Sequence, residues 1–152
     1  MEQGAMPMVA TSIPAHLADE TAWLEATAEL LRTHRIAEID TEALAEFLDD
    51  MARRDRREVL SRLAVLIAHI LKWQAQPERR SGSWKATIET QRQELSELLD
   101  SGVLRNHAEE IIDRAAEYGL KQAAAETMLP IEAFVAVRAM SLDEVLSEPM
   151  PS

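Results

Sequence analysis

The chain predicts an all-α protein: a compact bundle of about five helices around a central helical hairpin, with short helical turns near its end. Three observations carry that expectation. Hydrophobic residues make up 47% of the 152 residues while aromatic residues make up only 4%, and Ala, Leu and Glu dominate, which favours helix over strand. Apolar residues recur at spacings of three and four through most of the sequence. Cap residues and breakers then divide those periodic stretches into helix-length pieces. A chain this long buries a core without staples. The absence of Cys excludes disulfides, thiolate zinc sites and thiol nucleophiles.

The stretch 1–18 contains Pro7 and Pro14 but no Lys or Arg, so it reads as a flexible tail rather than a signal peptide. No apolar run approaches the ~18 residues of a membrane span. The expectation is a cytoplasmic protein without membrane contact, with one helical domain over 19–147 and a frayed end at 148–152.

The first helix is expected from Asp19 or Thr21, both plausible N-caps, to about Arg35, with Trp23, Leu30 and Leu31 on its apolar stripe. Asp40 caps the next, which carries Leu44, Phe47, Leu48 and Met51. The charged band Arg53–Arg57 contains no Gly or Pro, so residues 41–76 form either one helix or two. Val59 to Gln76 is the most apolar stretch, yet Glu58, Arg62, His69, Lys72 and Gln76 align on one face of it. Such a strip needs solvent or a hydrogen-bonded network. Pro77 and the following Ser-Gly-Ser make a turn, and Ser81 or Ser83 caps a helix from Trp84 to Asp100. Gln91 falls on that helix's apolar stripe and needs a partner, which the facing polar strip is placed to supply. Gly102 is expected to end this helix, and Asn106 with Glu109 to open the next as a capping box, through about Thr127. Pro130 begins a short helical segment with Phe134 and Val135 or Val137 as packing residues. Ser141 with Glu144 forms a second capping box, so that Val145 and Leu146 dock a last turn.

Charge is unevenly spread. From Arg53 to Arg92 there are ten Lys/Arg and four Asp/Glu, a balance of +6 inside a chain of net charge −11. Either this region offers a basic surface to an anionic partner, or the acidic helices around it neutralise it. The densest concentration of reactive and recognition side chains lies within it: His69, Lys72, Trp73, Gln76, Glu78, Arg79, Arg80, Ser81, Ser83 and Trp84, with Gln91 further on.

The same stretch carries a family resemblance. His69, Lys72-Trp73-Gln74, Pro77-Glu78-Arg79-Arg80-Ser81, Ser83-Trp84, Ile88 and Gln91-Arg92 resemble the bacterial domain-of-unknown-function family 29, a group of small all-helical proteins without assigned activity. Ala22-Trp23, Leu30-Leu31-Arg32, Ile39-Asp40, Leu44-Ala45-Glu46, Arg56-Arg57-Glu58, Glu126-Thr127 and Leu129-Pro130 extend the resemblance over about Thr21 to Leu146. It implies an all-helical fold and no reaction. The chain departs from the pattern at His34, Ala52 and Met128, where the family tends to carry Gly. Ala52 favours a continuous helix through Arg57. His34 and Met128 stand at helix ends where Gly would supply a left-handed cap, so those ends are expected to close differently.

Recognised chemistry is sparse. The residues three before His16, His34, His69 and His107 are Ile13, Leu31, Leu66 and Leu104, which excludes Glu-x-x-His di-metal pairs. There is no His-Glu-x-x-His helix and no Gly-rich phosphate loop. Glu110, Asp113 and Glu117 share a helix face but read as a solvated surface with Arg114 and Lys121. No catalytic residue, metal site or cofactor is therefore assigned. The leading reading is a non-enzymatic binding module whose hairpin apex contacts an anionic group on a protein or small ligand, with Lys72, Arg79, Arg80 and Lys85 as the cations. Nucleic acid is a weaker option, resting on two Trp rings beside those cations. One alternative is a small enzyme using His69 with Glu78. Another is a self-associating scaffold in which the apex is a structural polar plug.

Overall fold

The computed structural model describes residues 18–137 and 140–152, with residues 135–137 described by backbone alone. All of the expected tail except Ala18 lies outside the described residues. Among the described residues five α-helices follow one another: α1 (Glu20–Arg32), α2 (Thr41–Ala75), α3 (Gly82–Leu98), α4 (Gly102–Thr127) and α5 (Leu142–Ser147). Single 3-10 turns lie at Ile36–Glu38 and Pro77–Arg79, and a kinked 3-10 segment at Ile131–Val137. No strand occurs among the described residues, and the all-α expectation holds. Internal contacts divide the chain into two compact units, Met1–Asp50 and Met51–Ser152.

In the first unit, Asp19 caps α1, its Oδ1 accepting from the Ala22 N–H at 3.0 Å. The helix closes at Arg32 rather than Arg35, through a Schellman arrangement. The Arg35 N–H donates to the Leu30 carbonyl at 2.8 Å and the His34 N–H to the Leu31 carbonyl at 3.1 Å, with His34 left-handed at φ 56°. Asp40 caps α2 as expected, accepting from the Ala43 N–H at 3.1 Å. Trp23 meets Phe47 edge to face, with centroids 6.0 Å apart.

Residues 41–75 form one helix, which settles the alternatives left open for 41–76. Nothing between Thr41 and Ala75 interrupts the backbone ladder, since the span contains neither Gly nor Pro and Ala52 is a strong helix former. Residues Met51 to Arg57 are exposed.

In the second unit the distal part of α2 is the core. Val59, Leu63, Leu66, Ile67, Ile70 and Leu71 are buried with Ile88 and Leu95 of α3 and Leu99 just past its end, and with Ala108, Ile111, Ala115 and Ala123 of α4. Each fully buried Leu or Ile contributes about 1.5–3 kcal/mol. Side-chain pairs fix the directions. Arg62 reaches Gln91 and Glu94 while Lys72 lies over Trp84, so α2 and α3 form an antiparallel hairpin. α4 crosses α2 closely at Gly119, where an added Cβ would come within 2.8 Å of the Ala64 carbonyl and Ile67. Phe134 is buried, and so are Leu142 and Val145 of α5, which docks the last turn as expected. The side chains of Val135 and Val137 lie outside the described residues.

Two local expectations are corrected. The capping box at Asn106 with Glu109 does not form. α4 starts at Gly102, five residues before the His107 that such a box implies, because Ser101 Oγ already caps it by accepting from the Leu104 N–H at 3.3 Å. The ends at His34 and Met128 do not close differently either: both residues adopt the left-handed conformation, at φ 56° and 58°. A non-Gly residue there costs about 1–2 kcal/mol. Met128 is 90% exposed, so Met128→Gly loses no packing. It is expected to raise stability in urea unfolding by up to about 1 kcal/mol, once the extra freedom of Gly in the unfolded chain is deducted.

Candidate interaction site at the hairpin apex

α2 ends where Pro77 disfavours helical geometry in the residue before it, and Gln76 sits at φ −129°, ψ 70°. One 3-10 turn carries the chain round. The Arg79 N–H donates to the Gln76 carbonyl at 3.0 Å. Ser81, extended at φ −133°, ψ 160°, caps α3 by accepting from the Trp84 N–H at 3.3 Å. Its hydroxyl also lies 3.1 Å from that of Ser83. The two serines are thus used, at least in part, in closing the turn.

The side chains of the turn divide into two sets. One faces inward. Lys72 is 6% exposed, its Nζ donates to Glu126 Oε2 at 2.6 Å, and it lies 5.0 Å over the Trp84 ring. Gln122 supports the same carboxylate from one turn earlier on α4, at 2.9 Å. The hydrogen bond from Lys72 holds the Glu126 carboxyl below its ordinary range; burial opposes this, while Gln122 and the charges of Lys72 and His69 add to it. His69 Nδ1 lies 2.8 Å from the Val65 carbonyl. A carbonyl can only accept, so the ring carries a proton on Nδ1. Gln76 is buried at 9% exposure. No fully buried side-chain nitrogen or oxygen among the described residues lacks a partner.

The other set faces outward. Arg80 donates from Nε to the Trp73 carbonyl at 2.9 Å and lies 5.0 Å over the Trp73 ring, which braces the end of α2 without neutralising the cation. Arg79 and Lys85 are exposed, and neither side chain has a hydrogen-bond or ion-pair partner among the described residues. Glu78 is exposed, and no hydrogen bond joins it to His69. Trp73 and Lys85 share the wall of an open cavity of about 340 Å³ with Ile88, Glu89 and Arg92.

Gln91 is not part of this apex. It accepts from Arg62 Nη1 at 3.2 Å, in a group where Arg62 also binds Glu58 at 2.8 Å. That is the partner its place on an apolar stripe demanded. Two residues absent from the sequence reading of the site enter it through the fold. Glu126 is the counter-ion of Lys72, and Arg92 reaches α5 and the residue just beyond it, donating to the carbonyls of Val145 at 3.0 Å and Glu148 at 2.8 Å. Burial draws the Arg92 guanidinium below its usual value, with the Glu148 charge opposing. Both residues lie in stretches that share the family pattern, which was the signal available for them. Among the described residues no three His, Asp or Glu side chains group as metal ligands, and no helix is long and apolar enough to cross a membrane.

Residues 16–150 match the family described as Domain of unknown function DUF29. The chain belongs to that family. No curated protein and no solved structure matches it. Within this DUF29 chain, the stretch that carried the resemblance is the hairpin apex itself, and its shared residues fall on both sides of it: Lys72 and Trp84 inward, Arg79 and Arg80 outward.

Proposed function

We propose that this DUF29 protein is a non-enzymatic interaction module whose basic apex contacts an anionic group on a partner. The observation that carries the reading is that Arg79 and Lys85 have no counter-ion among the described residues, although the chain is acidic overall. If their purpose were local neutralisation, a carboxylate would pair with them as Glu126 pairs with Lys72, whereas Glu89, which lines the same cavity as Lys85, forms no ion pair with it. Arg80 belongs to the same rim but also braces Trp73, so it mixes binding with structure. The anchored turn keeps the cations on a rigid support, which limits the entropy lost when they engage.

Retention on immobilised inorganic polyphosphate across a salt series tests this. Arg79→Ala/Lys85→Ala is expected to elute at lower salt and to lower the logarithmic salt slope by about 2, one unit for each lost contact. Equal retention of the variant and the wild type, with the fold intact by circular dichroism, would remove the basis of the proposal.

A further inference from the structure

Beyond α5 the chain continues as Glu148-Pro149-Met150-Pro151-Ser152. Glu148 has φ −67° and ψ 130°, close to polyproline II, the conformation a residue before proline favours. Two hairpin side chains hold this strap by its backbone. Arg92 Nη2 on α3 donates to the Glu148 carbonyl at 2.8 Å, and Trp73 Nε1 on α2 donates to the Pro151 carbonyl at 2.8 Å. Those carbonyls are three residues apart. Polyproline II has three residues per turn and rises about 3.1 Å per residue, so carbonyls at this spacing emerge on one face about 9 Å apart. Trp73 and Arg92 therefore read the period of an extended, proline-bearing segment. Neither contact requires a particular side chain of the strap. Half-buried Met150 supplies the apolar contact between them.

The strap leaves space on either side. A cavity of about 250 Å³ lies towards Ile70 and Gln74, and one of about 340 Å³ towards Ile88 and Lys85. Both share walls with Arg92 and the strap. A segment with larger side chains than Met150 and Ser152 would fill more of the groove, and Lys85 and Arg92 on the wall outweigh the single carboxylate of Glu89 there, which favours an acidic one.

We propose that the groove between α2 and α3 docks an extended, acidic, proline-containing segment of a partner protein, and that Glu148–Ser152 is its resident occupant, displaced when the partner binds. This extends the reading of the apex as an interaction surface, with Lys85 common to both, but Trp73 and Arg92 read backbone carbonyls rather than charge. Peptide docking can therefore survive a failed polyphosphate test, and the reverse also holds.

The test uses the full chain and a fluorescent peptide of the strap's own sequence, Leu-Ser-Glu-Pro-Met-Pro-Ser, read by fluorescence polarisation. In the wild type the tethered strap competes at an effective concentration in the millimolar range. Pro149→Gly/Pro151→Gly loosens that competitor, and the opened chain is expected to bind the peptide at least ten-fold more tightly than wild type. Adding Trp73→Phe keeps an aromatic ring but removes the indole N–H, and should weaken binding about three- to ten-fold, the value of one hydrogen bond. The proposal is overturned if the opened chain binds no more tightly than the wild type, or binds equally a peptide with both prolines replaced by Gly. A wild-type dimer in sedimentation that the Pro149→Gly/Pro151→Gly change abolishes, without any peptide binding, would also overturn it by making the occupant a second copy's strap.

Discussion

Lys72 and Lys85 stand on opposite sides of the same hairpin turn, one near the end of α2 and the other near the start of α3, and their surroundings have almost nothing in common. Lys72 is buried, paired with Glu126 at 2.6 Å and covered by the Trp84 ring. Lys85 is exposed on the wall of an open cavity and has no ion-pair partner among the described residues. What separates them is helical phase. The strip containing His69, Lys72 and Gln76 turns towards α4, whereas Arg79 and Lys85 fall on the turn and on the solvent side of α3. The charge of Lys72 is consumed by Glu126, whereas Arg79 and Lys85 still have theirs to offer. Side chains of the same type within one short stretch thus divide into structure and candidate recognition.

The strongest way to break this comparison is to unpair the inner set. Glu126→Ala leaves a buried ammonium without its carboxylate and is expected to cost about 2–3 kcal/mol in urea unfolding. Lys72→Met should cost less, within about 1 kcal/mol, because the Glu126 side chain is 43% exposed and can be hydrated when left alone. A larger loss for Lys72→Met than for Glu126→Ala would reverse the assigned roles. Acid provides a second test. Glu126 has a lowered folded-state pKa, so its contribution is fully present above its unfolded value of about 4.3 and disappears as pH falls through the lowered folded value. Glu126→Gln should therefore flatten the stability profile below about pH 4. Outer-set changes come last in size. Arg79→Ala/Lys85→Ala should alter unfolding free energy by no more than about 0.5 kcal/mol, as expected for exposed positions without partners.

Much of the fold was legible because its determinants are local. Asp19, Asp40, Ser81 and the Ser141–Glu144 box all cap helices where their spacing placed them. The same local rules failed at Asn106, where Ser101 had already satisfied the donors at the helix start. They also failed at His34, where Schellman hydrogen bonds retain the left-handed residue despite its side chain. The site was half legible. Sequence period aligned His69, Lys72 and Gln76, but it could not say which of the clustered cations would be consumed. That depended on Glu126, which is 54 residues from Lys72 and on another helix. Arg92 was hidden for the same reason, since its acceptors at Val145 and Glu148 are 53 and 56 residues away.

The division between the two sets is tested most directly by measuring urea stability and polyphosphate affinity together, on Glu126→Ala and on Arg79→Ala/Lys85→Ala. The account predicts that Glu126→Ala loses stability but, below its unfolding transition, binds polyphosphate as the wild type does. It predicts the opposite for the double variant, which should keep wild-type stability and lose affinity. If both proteins lose the same property, the apex is one unit and the separation of structure from recognition is contradicted.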